Sequence, residues 1–242
     1  MNEKQKECRS LLLPTAGGAK QEDSFKSNSF DESPLAPKRG NWFFFLCKRL
    51  FDIVFSLIIS VLLCIPLLIV CICICFDSPG FPIYCQKRVG KNGKPIYILK
   101  LRTMLKDANE HPELYLSKQQ LEEWVREKKV KDDPRITKIG YFLRKTSLDE
   151  LPQFANVFIG DLSVIGPRPV TEEETYEYGE VRDEILSIRP GITGWWQVTG
   201  RNEATWANGD RQKLELFYVR HVSLGLDLRV FARTFKAMGR GQ

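Results

Sequence analysis

The sequence predicts an α+β chain, a mostly helical, membrane-associated domain with a re-entrant membrane helix-break-helix, a short β-hairpin and surface amphipathic helices. Three observations carry this. Residues 53–76 (IVFSLIISVLLCIPLLIVCICICF) hold no Asp, Glu, Lys, Arg or His, which is long enough to meet hydrocarbon. Two β-branched and aromatic runs flank Lys91-Asn92-Gly93-Lys94, and apolar positions near the C-terminus recur at helical spacing. With 242 residues, 43% hydrophobic and 27% charged, one modest domain plus accessory segments fits better than two full domains.

Taken in order, residues 1–40 are rich in Ser, Lys, Glu, Pro and Gly, with Leu11 to Leu13 as the only apolar patch. They read as a disordered polar tail. Residues 41–80 form an interfacial segment and the membrane hairpin. NWFFFLCKRLFD (41–52) sets aromatic rings and Lys48-Arg49 immediately before the apolar block, as at a lipid–water boundary. The block lacks a basic segment at the chain start and a small-residue cleavage site, so a removable signal is disfavoured.

Pro66 lies near the middle of the block and is expected to bend or break its helix. The halves, 53–65 and 67–76, would rise about 20 Å and about 15 Å, and neither spans a core of about 30 Å. Both flanks are basic: Lys38, Arg39, Lys48 and Arg49 precede the block, while Lys87, Arg88, Lys91, Lys94, Lys100, Arg102 and Lys106 follow with no acid between 78 and 106. A re-entrant hairpin with both ends cytoplasmic satisfies the proline and the charge together. The alternative is a proline-kinked transmembrane helix.

Residues 81–242 read as a cytoplasmic domain. PIYCQKRVG and KPIYILKLRTM predict a hairpin, 107–129 a polar helix, and 146–159 (TSLDELPQFANVFI) a helix capped by Thr146 or Ser147. Near the end, Val230, Phe231, Thr234, Phe235 and Met238 share one helix face and Arg229, Arg233, Lys236 and Arg240 another, as in a helix lying on a membrane surface or one packed on a core. Four of the seven cysteines, Cys64, Cys71, Cys73 and Cys75, lie in the apolar run, where they act as small hydrophobes on a reducing side.

Two histidines, His111 and His221, give little material for zinc or Ser-His-Asp chemistry, and no GxGxxG or P-loop pattern occurs. Asp-Glu occurs at 31–32, 149–150 and 183–184; the first lies in the tail and the third in a charged run. The middle pair, Asp149 and Glu150, follows Arg144-Lys145 and precedes Gly166-Pro167-Arg168-Pro169, where two prolines hold Arg168 extended. A restrained guanidinium suits bidentate phosphate binding, although the same tetrapeptide also makes a rigid turn.

In RPGITGWWQVTGRN (189–202), Arg189 and Arg201 surround Gly191, Gly194 and Gly200, which would let backbone approach a ligand closely. Trp195 and Trp196 would stack on a base, face lipid or pack inside. Basic anchors, a carboxylate pair and a membrane foot together suggest phosphoryl transfer on an anionic, phosphate-bearing substrate held near lipid.

KRLFDIV, QKRVG, KLRTM, DPRITKIGYFLRKTSLDELPQ, NVFIGDLSVIGPRP and RPGITGWWQVTGRN, in this order, resemble the bacterial sugar transferase family, monotopic polyprenol-phosphate phosphoglycosyl transferases, over roughly residues 46–242. The resemblance implies that 81–242 is catalytic. It would move a sugar-1-phosphate from a UDP-sugar to undecaprenyl phosphate at the cytoplasmic face of the bacterial inner membrane, releasing UMP, with magnesium as cofactor. It implies Asp149 as the nucleophile of a phospho-sugar aspartyl intermediate and Glu150 as metal or acceptor ligand. Arg168, Arg189 and Arg201 would contact phosphate, with Lys100 and Arg102 as further candidates.

Relatives often break the hairpin at Ser-Pro, whereas this chain has Cys64-Ile65-Pro66. Segment 105–132 with DDPRIT resembles members that use galactose or glucose; an N-acetylhexosamine donor stays open. The competing class is a non-catalytic adaptor holding acidic membrane lipids through its basic face. No nucleic-acid partner is expected, and a homo-oligomer is left open.

Overall fold

The structure, a computed structural model, describes residues 42–127, 130–200, 204–206 and 208–239. The expected tail and Arg201 lie outside the described residues.

The apolar block and its aromatic preface form one helix, α1 (Trp42–Asp77), with Pro66 inside it. The two expected halves are a single element, because a proline removes one hydrogen bond and crowds one turn while its neighbours stay helical. Only 6% of its most apolar window is buried, so α1 is no soluble core helix, and it is long and apolar enough to cross a membrane.

Both ends of α1 are pinned to the rest of the chain. At the start, Asp52 is buried and accepts hydrogen bonds from Ser163 Oγ at 3.1 Å and Val164 N at 2.9 Å. Lys48 pairs with Asp227 at 2.6 Å, and Arg49 donates to the carbonyls of Val157 and Phe158 at 2.6 and 2.8 Å. Lys48 and Arg49, expected as an exposed charge flank, are therefore held by protein contacts, Lys48 by an acid and Arg49 by neutral carbonyls. At the far end Ile74 packs with Leu101 and Leu143, and Arg102 donates to the carbonyls of Ser78 at 2.6 Å and Pro79 at 2.8 Å.

Next come antiparallel strands β1 (Ile83–Val89) and β2 (Pro95–Leu101), Val89 facing Pro95 and Ile83 facing Leu101. Asn92 adopts φ 56° in the connecting turn, the left-handed conformation that Asn tolerates. The predicted hairpin is present.

The expected helix 107–129 is not continuous. A 3₁₀ turn at Pro112–Leu114 precedes α2 (Lys118–Glu127), because Pro112 drives the residue before it out of helical geometry and Asp107 sits at φ 60°. The expected helix 146–159 also splits. Thr146 ends α3 (Lys138–Thr146), Ser147 closes it at φ 56°, a 3₁₀ turn covers Leu148–Glu150, and α4 (Gln153–Ile159) starts after Pro152. Pro152 has no N–H to continue the preceding turn and suits a helix start.

The remaining elements are β3 (Ser163–Ile165), α5 (Glu172–Thr175), a 3₁₀ segment (Tyr176–Val181), α6 (Arg182–Ile185), β4 (Gly191–Thr193), α7 (Trp195–Thr199), α8 (Asp210–Arg220) and α9 (Leu224–Gly239). β3 and β4 form a parallel pair that sequence reading did not anticipate, since three-residue strands leave no periodic signal. The core joins Ile96 and Ile98 of β2, Val157 of α4, Leu162, Val164 and Ile165, Tyr218 of α8, and Leu226 and Val230 of α9. Phe231 of α9 meets Phe51 and Phe55 of α1 edge-on, so α9 packs on the core and on α1 while Leu228 and Phe235 stay exposed.

Candidate active site

Side chains alternate along a strand, so Lys100 shares with Ile96 and Ile98 the face of β2 that enters the domain. Buried Asn156 of α4 fixes this strand against the helix: its Nδ2 donates to Tyr97 O at 2.8 Å and its Oδ1 accepts from Leu99 N at 2.9 Å. Leu99 would otherwise keep an unmet N–H on the inner edge, which is costly. One residue later, Lys100 Nζ reaches Glu150 Oε1 at 3.1 Å.

The 3₁₀ turn that holds Asp149 and Glu150 exists because Ser147 reverses the chain in the left-handed conformation and Glu150 N bonds Ser147 O at 3.3 Å. Asp149 is half-buried. Loss of water and the adjacent Glu150 carboxylate push the Asp149 carboxyl above the usual carboxylate range, against the pull of Lys100 and Arg144. Arg144 is steadied by Nε donating to Thr103 Oγ1 at 2.9 Å, and the buried pair Asp133–Arg135, at 2.7 Å, adds charge nearby.

Glu150, Lys100 and Arg168 line one cavity with Arg88, Gln153 and Gln197. Arg168 is held by its backbone, whose N–H donates to Glu215 Oε1 at 3.0 Å. Arg88 donates to Glu174 at 2.9 Å but keeps a buried Nε without a partner, as does the amide nitrogen of Gln153. Both residues line the cavity, and unpartnered polar atoms of cavity-lining side chains are candidates to meet a ligand's oxygens.

Of the residues the resemblance implied, the structure brings Glu150, Lys100 and Arg168 together on one cavity, with Asp149 next to Glu150 and in electrostatic reach of Lys100. Arg102 caps α1, and Arg189 donates to Gly160 O at 2.9 Å beside a different cavity; neither lines the cavity of Glu150. Arg88, Arg144, Gln153 and Gln197 were not singled out as site residues, and only Arg144 had a visible signal, a basic residue in the last turn of α3 five residues before Asp149. The glycines of GPRP and RPGITG approach each other: a Cβ on Gly166 would lie 2.8 Å from Gly191 N. Their close approach serves β3–β4 packing, and Gly191 also lines the cavity of Glu150 and Arg168. Trp196 is buried, and Trp195 packs 5.6 Å from Phe217.

Residues 43–241 match the bacterial sugar transferase family pattern. The chain belongs to that family. Among similar members, the UDP-galactose-lipid carrier transferase of Erwinia amylovora is 42% identical over 77% of this chain and 39% of its own length. The exopolysaccharide production protein ExoY of Rhizobium meliloti is 38% identical over 80% of this chain and 85% of its own. The UDP-glucose:undecaprenyl-phosphate glucose-1-phosphate transferase of Escherichia coli is 36% identical over 79% of this chain and 40% of its own. The chain thus spans about two fifths of the galactose- and glucose-named sugar transferases but most of ExoY.

Proposed function

We propose that this chain transfers a hexose-1-phosphate, of galactose or glucose type, from a UDP-sugar to undecaprenyl phosphate at the cytoplasmic face of the bacterial inner membrane, an early step of surface polysaccharide synthesis. The observation that carries the reading is Asp149, a half-buried carboxylate flanked by Lys100 and Arg144 and next to Glu150, whose cavity also holds Arg168. The names of the galactose and glucose relatives supply the sugar class and the lipid acceptor.

In the first half-reaction an Asp149 carboxylate oxygen attacks the sugar-bearing phosphorus. The bridging P–O bond breaks, and UMP leaves with the bridging oxygen and its electron pair. In the second, a phosphate oxygen of undecaprenyl phosphate attacks the same phosphorus, forms the lipid diphosphate-sugar and returns the carboxylate. Partial removal from water makes the Asp149 carboxylate a better nucleophile, and Lys100 and Arg144 oppose the upward push that burial and Glu150 exert on its carboxyl. Arg168, displayed on a chain held by Glu215 and two prolines, would bind diphosphate oxygens.

Magnesium fits the donor set. Among the described residues no three His, Cys, Asp or Glu side chains form a cage, whereas magnesium commonly takes one or two carboxylates plus substrate phosphates. Glu150, with Asp149 beside it, would hold the ion, which when bound neutralises diphosphate oxygens. Re-entrance of α1 is supported by its two pinned ends, since a helix threaded through a bilayer cannot dock both ends on one aqueous domain.

The test uses a UDP-sugar carrying radiolabel in its sugar, supplied without acceptor. Label is expected to stay on the protein with one UMP released per chain, and Asp149→Asn is expected to abolish both. Full labelling of Asp149→Asn would overturn the nucleophile. A panel of UDP-sugars then reads the sugar class.

A further inference from the structure

A second cavity lies where the first turns of α1 meet β3 and the loop before β4. Phe45, Lys48, Arg49, Asp52, Lys91 and Arg189 line it. Four of these are cationic and one is a carboxylate. That carboxylate, Asp52, is turned to Ser163 and Val164, and Lys48 is matched by Asp227. Arg49 and Arg189 donate to backbone carbonyls, which orient a guanidinium without cancelling its charge. Among the described residues no carboxylate forms an ion pair with Arg49, Lys91 or Arg189, and the repulsion between the Arg49 and Arg189 guanidiniums is opposed only by the weaker pull of Asp52.

The cluster is fixed in place. Asn92 N donates to Leu186 O at 2.7 Å, docking the β1–β2 turn that carries Lys91 against the segment that leads to Arg189. Holding like charges together on a partly dry surface is unfavourable unless an anion offsets them, and two restrained guanidinium forks with an ammonium match phosphate oxygens. The position selects the source of that phosphate. On α1 the cavity is lined by residues one to eight positions before the apolar stretch 53–76, with Phe45 on its wall and the indole of Trp42 (74% exposed) and the ring of Phe43 (57% exposed) close by in sequence, the depth at which aromatic residues meet lipid headgroups.

We propose that this cavity binds the phosphate of an anionic phospholipid headgroup, at a site separate from Asp149. The inference rests on the reading of α1 as a lipid-embedded helix. Bound there, the headgroup would set the height of the domain against the bilayer from the α1 end.

The test titrates the full chain in detergent, by calorimetry, with dihexanoylphosphatidylglycerol, dihexanoylphosphatidylcholine and inorganic phosphate. Saturable binding of the glycerol lipid is expected, with no saturable binding of the choline lipid. Lys91→Gln, on an exposed turn, is expected to weaken binding about fivefold, the worth of one basic residue at an anionic surface. Arg189→Lys, which keeps charge but loses the fork, is expected to weaken it as well. Unchanged affinity in both variants, or equal binding of the two lipids, overturns the proposal. Inorganic phosphate binding as tightly as the glycerol lipid overturns the lipid assignment.

UMP release by Lys91→Gln is expected to keep the wild-type KM for undecaprenyl phosphate; a raised KM would make the cavity the acceptor's and overturn the separate site. Flotation with phosphatidylcholine vesicles reads the embedding of α1 independently. Loss of flotation defeats that reading of α1, whereas flotation without preference for the glycerol lipid in calorimetry defeats the headgroup site alone.

Discussion

Glu215 shows how much of this site is set by a residue that touches no expected substrate. It is fully buried on α8, accepts the Arg168 N–H with one oxygen and leaves the other without a partner. Burial pushes its carboxyl up to about 7, against the pull of that N–H, Arg211 and Arg168. Because the folded value lies above the unfolded one, 4.5, the fold holds a proton that the unfolded chain releases. The associated stability is complete below about pH 4.5 and lost as pH rises through about 7, on the order of 3 kcal/mol by linkage. Asp149 shifts in the same direction. Thermal unfolding from pH 4.5 to 8 is expected to show a falling midpoint, and Glu215→Gln is expected to flatten that slope. A slope unchanged by Glu215→Gln would place the proton elsewhere. Asp149 and Glu150 were legible in the sequence because acids between a basic helix end and a proline stand out. Glu215 was not, since an acid in DRQKLELFYVR reads as a solvated helix face until packing buries it.

At the scale of elements, the sequence disclosed whatever has a period. The β1–β2 hairpin announced itself by β-branched and aromatic runs around an Asn-Gly turn, and α1 by unbroken apolarity. The turn that carries Asp149 and Glu150 was hidden because 146–159 carries helix-forming residues and caps, while its outcome hangs on Ser147 turning left-handed and Pro152 restarting the helix. The contact that presses α3 onto the segment just after β2, at Thr103, was hidden too. Gly140 sits inside α3, where Gly→Ala usually gains about 1 kcal/mol. Here an added Cβ would lie 2.7 Å from the carbonyl carbon of Thr103 and 2.8 Å from its Cα, so backbone must move. Gly140→Ala is expected to lose about 1–3 kcal/mol of stability and to lower UMP release by disturbing Arg144 on Thr103. Gly225→Ala, in open space on α9, is expected to leave stability equal or raised. Denaturant midpoints of the two variants compare the signs directly; an equal gain in both would show that α3 can slide.

Across the whole molecule, the basic flanks of the apolar stretch argued for two cytoplasmic ends before any fold was known, but for a reason that packing has altered. Lys48 is matched by Asp227, and Arg49 and Arg102 are oriented by backbone carbonyls, so these side chains fix the ends of α1 on the protein as well as carrying charge. Docking of both α1 ends on one domain replaces charge as the stronger argument. It leads to a sharper expectation than charge alone, because the anchors are buried and hydrogen-bonded and cannot be traded for a threaded helix without leaving Asp52 an unmatched buried acid. In a cysteine-depleted background, Gly40→Cys and Lys94→Cys are therefore expected to resist an impermeant maleimide in intact cells and to react together once the membrane is opened. Asp52→Asn, which keeps shape but weakens the acceptor bonds to Ser163 and Val164, is expected to reduce protein level while leaving both positions on the same side. Labelling of either cysteine from outside, in the parent or in Asp52→Asn, would mean that α1 crosses and that the docking at one of its ends is broken in the cell.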